Sequence, residues 1–193
     1  MSAPQITPFD VAGTAIDGLV VITMKQVAEP RGTVRELFRA SAMEQAGLQT
    51  GPWSQINLTQ TVPGAVRGLH GESMTKLVAV AHGSAFGAYV DARPDSPTVG
   101  AVVTVALAPG RQVLVPAGVC NGFQSTGDDP SQYVYCFDAE WVPGMAGVAV
   151  HPLDPALAIP WPITIDPENP MQLSAKDAGQ PTLAETLERL RSS

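Results

Sequence analysis

Residues 76–82 read Lys-Leu-Val-Ala-Val-Ala-His, Gly83-Ser84 follows, and residues 85–91 read Ala-Phe-Gly-Ala-Tyr-Val-Asp. Short runs of β-favouring residues separated by turn residues read as strands. The same texture recurs at 18–27, 53–61, 101–107, 112–115 and 132–137. Eighteen glycines and eighteen prolines punctuate these runs along the whole chain. Many short strands with frequent turn signals point to an all-β sandwich, jelly roll or barrel. Alternating βαβ units would need a helical segment after each strand, and the sequence shows no such alternation. Two short helices are expected. Residues 39–47 end on a glycine suited to a C-terminal cap, and 182–191 place Leu183, Leu187 and Leu190 on one face with Arg189 and Arg191 in the last turn. The Pro- and Gly-rich stretch 139–168 reads as an ordered excursion that closes one end of the domain.

A chain of 193 residues is long enough for one domain with a real core, taken as 1–193. Hydrophobic residues make up 45% and charged residues 15%, a globular composition. A net charge of −7 argues against binding a nucleic acid polymer, which needs a basic face. It leaves room for a few arginines that grip one nucleotide. No run approaches the roughly 18 apolar residues of a membrane span, and the N-terminus lacks the basic start and apolar run of a signal peptide. Cys120 and Cys136 form no CxxC pair. A disulfide between them is open on paper, but reduced, buried thiols in a cytoplasmic protein are the expectation.

Three histidines occur, His70, His82 and His151. None has a second histidine one residue away, so the ligand count and spacing do not suit a metal centre, and none is expected. His82 precedes Gly83, and His151 lies between Val150 and Pro152; both read as structural turn residues. His70 closes the run Val66-Arg67-Gly68-Leu69-His70. Alone, that run fits an edge histidine bonded to backbone.

The rest of the chain changes that reading. Arg31-Gly32 follows a first strand; then come Arg67-Gly68-Leu69-His70 and Lys76-Leu77-Val78. Val90-Asp91-Ala92-Arg93-Pro94-Asp95-Ser96-Pro97 precedes Gly100, and Val115-Pro116-Ala117-Gly118, Gly122-Phe123 and Tyr135 come next. Ala158-Ile159-Pro160-Trp161-Pro162 and Leu173-Ser174-Ala175-Lys176-Asp177 complete the series. In this order and spacing, the fragments resemble the dTDP-4-dehydrorhamnose 3,5-epimerase family. The resemblance implies a cupin-type double-stranded β-helix (jelly roll) with a few short helices. It also implies a homodimer and catalysis without a metal or other cofactor. By the same resemblance, His70 matches the catalytic base, Asp177 its carboxylate partner, Lys76 the lysine near the substrate carbonyl and Tyr135 the acid on the opposite face. Arg31 and Arg67 match positions that hold the nucleotide phosphates or orient the base, and Gln55 and Asn57 match polar positions on a pocket strand.

The chemistry accounts for such a set. A proton on carbon beside a ketone is removable because the charge spreads onto oxygen as an enolate. Histidine is a suitable base near neutral pH. A carboxylate on its far nitrogen fixes the tautomer. A donor must meet the enolate oxygen, and inversion needs a proton from the other face. The sequence departs from the family at the pocket wall. Gly71-Glu72 replaces an aromatic residue and a glutamine, Asn121 replaces a histidine, Trp141 replaces a tyrosine, and Ala28-Glu29-Pro30 lacks an aspartate at its start. The His70-Gly71-Glu72 and Asn121 combination resembles a branch of the family that includes epimerases acting on other nucleotide sugars, such as GDP-linked 4-keto heptoses. The expectation is an epimerase of a nucleotide-diphosphate 4-keto-sugar at C3, C5 or both, with Glu72, Asn121 and Trp141 shaping a different substrate preference. A non-catalytic sugar-nucleotide-binding cupin and a ketoisomerase on the same scaffold are the alternatives.

Overall fold

Side chains alternate across the strand at 76–82. Val78 and Val80 join an interior cluster, while Leu77 joins a separate cluster on the outer face. That division runs through two facing antiparallel sheets in the computed structural model, which describes residues 3–192. Met1, Ser2 and Ser193, which the expected 1–193 domain and the reading of the N-terminus include, lie outside the described residues. One sheet has six strands. In spatial order they are β2 (Asp10–Gly13), β3 (Val20–Thr23), β11 (Arg111–Val115), β8 (Lys76–His82), β13 (Ser131–Phe137) and β6 (Gln55–Thr61). The other has five: β10 (Val102–Leu107), β9 (Ala85–Asp91), β12 (Val119–Ser125), β7 (Val66–Glu72) and β14 (Gly147–Ala149). A separate three-stranded sheet holds β1 (Gln5–Thr7), β4 (Gln26–Glu29) and β5 (Gly32–Arg35). This is the expected all-β jelly roll.

Between the two large sheets pack Val78, Val80, Val113 and Tyr133 from one side and Tyr89, Val105, Val119 and Phe123 from the other. Phe123 and Tyr133 stack with ring centroids 3.9 Å apart. The outer face of the five-stranded sheet is covered by the segment 150–161, with Leu157 and Trp161, and by α3 (Leu183–Arg191). The outer face of the six-stranded sheet is covered by α1 (Ala40–Gln45) through Met43. Cys120 and Cys136 sit under these two different covers, so the sandwich separates them and both are free thiols.

The structure refines several expectations. The run 18–27 is two strands in two sheets, because the chain turns at Met24, whose N–H bonds to Gly110 O at 2.8 Å. β12 reads Val-Cys-Asn-Gly-Phe-Gln-Ser and is buried throughout. Its polar residues hide it from a β-propensity reading, yet Gln124 is satisfied by the carbonyls of Gly64 and Ile163. Gly47 adopts φ +73° after α1, as a C-terminal glycine should. In α3, Thr182 and Glu185 form a reciprocal capping box. The leucine stripe of α3 is half-buried, and its one buried residue is Thr186, bonded to Ala149 O. Between 139 and 168 the chain forms β14 and a 3-10 turn at Pro155–Leu157.

The 90–98 motif is a staple at the end of β9. Asp91 is fully buried and accepts from Arg93 Nε and Nη2 (both 2.8 Å), Ser96 Oγ (2.5 Å) and Thr98 Oγ1 (2.7 Å). Burial works to raise its carboxyl, but these donors hold it well below the ordinary carboxylate range.

Candidate active site

β7 and β12 approach so closely that glycine is required at both contacts. A Cβ on Gly68, whose φ is +118°, would lie 2.5 Å from Gly122 Cα, and one on Gly122 would lie 2.7 Å from Arg67 O. Just beyond, His70 and Asn121 are register partners, so their side chains share a face. Lys76 lies on the inward face of β8 with Val78 and Val80. Its ammonium crosses the sandwich to donate to Asn121 Oδ1, Glu72 Oε2 and His70 O, the last at 3.1 Å. Lys76 is 1% exposed.

A single helical turn, α2 (Ala175–Ala178), delivers Asp177. Ser174 caps it, accepting the Asp177 N–H at 3.1 Å. His70 Nε2 lies 2.7 Å from Asp177 Oδ1. Burial pushes the Asp177 carboxyl up, but the His70 hydrogen bond and charge, with hydrogen bonds from Ser174 and the Gly68 backbone, outweigh it and hold the carboxyl below its usual value. An ionised Asp177 accepts a hydrogen bond from Nε2–H and leaves the Nδ1 lone pair as the basic position of the ring. Burial likewise raises Glu72, and the Lys76 ammonium outweighs it, so Glu72 is a carboxylate at neutral pH.

Tyr135 comes from the facing sheet, in a ladder of rings. It stacks on Phe137 with centroids 5.8 Å apart and tilts against Tyr133 at 4.9 Å. Burial first, then Tyr133, drives its phenol well above the ordinary value, with Arg67 pulling the other way. Tyr135 therefore holds its proton at neutral pH. Asn57 and Gln55 lie opposite Tyr135 and Phe137 in the β6–β13 ladder. Gln55 donates to Asn57 Oδ1 at 3.1 Å and accepts the Trp141 N–H at 2.8 Å. Arg67 donates to Thr61 Oγ1 at 2.9 Å and borders a cavity of about 290 Å³ that reaches Asp177. A second cavity, of about 430 Å³, has His70, Glu72, Trp141, Lys176 and Arg189 in its wall.

Of the residues singled out by sequence, His70, Asp177, Lys76, Glu72 and Asn121 form one bonded cluster, with Tyr135, Gln55, Asn57, Arg67 and Trp141 around it. Arg31 does not join it. It sits at the turn between β4 and β5, its side chain 85% exposed and paired with Glu29. Its sheet makes no ladder with either large sheet. Lys176, Gln180 and Arg189 in the cavity wall were not anticipated. The signal for α2 was present in Ser174-Ala-Lys-Asp177, a serine three residues before a carboxylate. His151 accepts the Leu153 N–H on Nδ1 at 3.0 Å, in keeping with a turn role. Among the described residues, no three His, Cys, Asp or Glu side chains gather as a metal site.

A jelly roll that joins a histidine–aspartate pair on one side to a protonated tyrosine from the facing sheet holds a base and an acid suited to moving a proton off and onto carbon. The sequence pattern of the dTDP-4-dehydrorhamnose 3,5-epimerases matches residues 13–185. A dTDP-4-dehydro-6-deoxyglucose 3-epimerase of Streptomyces bikiniensis is 34% identical over 84% of this chain and 83% of its own. A dTDP-4-dehydrorhamnose 3,5-epimerase of Streptomyces griseus is 33% identical over 89% of this chain and 85% of its own. The structure of RmlC from Legionella pneumophila in complex with dTDP-4-keto-L-rhamnose superposes with a TM-score of 0.82 at 34% identity, covering 93% of this chain and 97% of that one. The chain belongs to the dTDP-4-dehydrorhamnose 3,5-epimerase family.

Proposed function

We propose that the protein epimerises a nucleotide-diphosphate 4-keto-sugar at C3, C5 or both, using its own side chains. The observation that carries this reading is the 2.7 Å pair of His70 on β7 with Asp177 on α2, with the protonated Tyr135 on the facing sheet. His70 Nδ1 takes the proton from the carbon beside the ketone, and Asp177 steadies the imidazolium. A donor on the Lys76–Asn121 side meets the enolate oxygen. Tyr135 returns a proton from the opposite face. Arg67 faces the diphosphate, and Trp141 borders the nucleotide end. Relatives with 3-epimerase and 3,5-epimerase names both fit this chemistry, so the number of centres inverted is decided by how the sugar sits.

Glu72, Asn121 and Trp141 shift preference away from dTDP-4-keto-6-deoxyglucose, toward a substrate with a further hydroxyl or a different base. Glu72 supports this because its carboxylate lies on an inward strand beside the base. Deuterium wash-in from solvent, read by NMR at C3 and C5 over a panel of 4-keto nucleotide sugars, tests the whole reading. Exchange with inversion is expected. No exchange in any sugar, or migration of the carbonyl, refutes it. A kcat/KM for dTDP-4-keto-6-deoxyglucose equal to the best in the panel refutes the altered preference alone.

The working unit is a homodimer. Ile6 and Val34 are exposed on the three-stranded sheet, and Ile56 and Leu58 are exposed on the edge strand β6. Pairing these surfaces would bury apolar area and carry Arg31 toward a neighbouring copy. Light scattering of a monomer at micromolar concentration would overturn this.

A further inference from the structure

An ammonium has three protons to donate and no lone pair to accept with. Lys76 spends all three, on His70 O, Glu72 Oε2 and Asn121 Oδ1. To reach a substrate oxygen, Nζ would have to abandon one of these acceptors inside the sandwich, where nothing else replaces it. Its charge is also matched at contact by the Glu72 carboxylate. The same bond fixes Asn121. Because Lys76 only donates, the amide must turn Oδ1 toward it, which leaves the Nδ2 hydrogens for another partner. No hydrogen bond from Nδ2 to the described residues is present, and Asn121 keeps 5% exposure against 1% for Lys76. Asn121 faces His70 across the β7–β12 ladder, so this free donor lies beside the base.

We propose that the Asn121 amide nitrogen, and not Lys76, is the hydrogen-bond donor to the ketone oxygen in this chain, with the closed Glu72–Lys76 pair holding that amide in place. The proposal rests on the epimerase reading above. In the step it describes, His70 takes the proton from carbon, the C–H electron pair becomes the C=C bond, and the carbonyl π pair moves onto oxygen. The Asn121 N–H meets that oxygen. The flow reverses when Tyr135 delivers its proton to carbon, so nothing is oxidised or reduced. Asn121 is then a catalytic residue, and Lys76 and Glu72 are positioning residues.

Asn121→Asp is the sharpest perturbation, because a carboxylate still accepts from Lys76 and has no N–H to give. Asn121→Ala removes the donor without adding charge. Both are compared with the charge-neutral double variant Glu72→Gln/Lys76→Met. The measurements are deuterium exchange and steady-state kinetics on the best panel sugar. Nucleotide-diphosphate binding and thermal melting show that each variant is folded. Removing a donor of this kind lowers kcat by about 10²–10³. Both Asn121 variants should show that loss with KM within a few-fold. The double variant should lose about tenfold in kcat, since the donor remains and only its orientation loosens. Two results overturn the proposal while sparing the epimerase reading: an Asn121→Ala enzyme within tenfold of wild type, or a double variant that loses more than the Asn121 variants. Wild-type protein that exchanges no deuterium into any sugar overturns the reading and the proposal together.

Discussion

Asp177→Asn removes a charge while keeping the shape of the side chain. Asp177 is 6% exposed and accepts the His70 Nε2–H hydrogen bond at 2.7 Å. An asparagine there presents its amide N–H to Nε2, which moves the ring proton to Nδ1, the position that must be empty for the base to work. In a serine-protease triad, the same change leaves the geometry intact and lowers kcat by about 10⁴. At about 1.36 kcal/mol per decade, that is roughly 5.5 kcal/mol of lost transition-state stabilisation. The assay is single-turnover deuterium wash-in with nucleotide-sugar binding measured alongside. Binding within a few-fold of wild type and exchange slowed by three to four decades, on the order of the triad precedent, is the expected result. A variant that keeps more than a tenth of wild-type exchange would show that Asp177 does not set the tautomer. The pair also contributes to stability with a definite sign. The folded carboxyl lies below its unfolded value of about 3.9, so its contribution is complete above that pH and is lost as pH falls through the folded value. Asp177→Asn should therefore flatten the acid side of the stability curve as well as slow exchange.

Tyr135→Phe should separate the two half-reactions, giving exchange at one carbon with little net inversion; full inversion would assign the acid to another group or to water. Asp91→Ala strands the Arg93 guanidinium and two hydroxyls, and breaking a buried pair of this kind costs about 3 kcal/mol, which lowers Tm by roughly 6–12 °C in a chain of this size. A melting shift below 2 °C would show the staple to be dispensable. Treatment with a strong chelator should leave activity unchanged; a loss that zinc, iron or manganese restores would refute the side-chain mechanism.

Local pattern made much of this protein legible in its sequence. Val, Ile and Leu runs broken by Gly and Pro announced the strands, because β-branched residues suit a pleated, half-buried surface and turn residues end it. The C-terminal helix was visible because Leu183, Leu187 and Leu190 recur at helical spacing and Arg189 and Arg191 fall in its last turn. The ordered fragments from Arg67-Gly68-Leu69-His70 to Asp177 named the candidate site. Tertiary structure decided what spacing along the chain does not carry. His70 and Asp177 are 107 residues apart, and only the packing of α2 against β7 brings them to 2.7 Å. Arg31 read as a site residue from its place in the series; within one chain it stands on a separate three-stranded sheet and pairs with Glu29, so any part it takes in a site depends on how copies assemble. Glu72 read from sequence as a residue of the pocket wall, with no partner for its charge. Its fate was settled when β8 turned Lys76 inward and gave the carboxylate an ammonium to pair with. A residue's chemistry is written in its type, but its partners are set by which strands become neighbours, and that is a property of the folded chain as a whole.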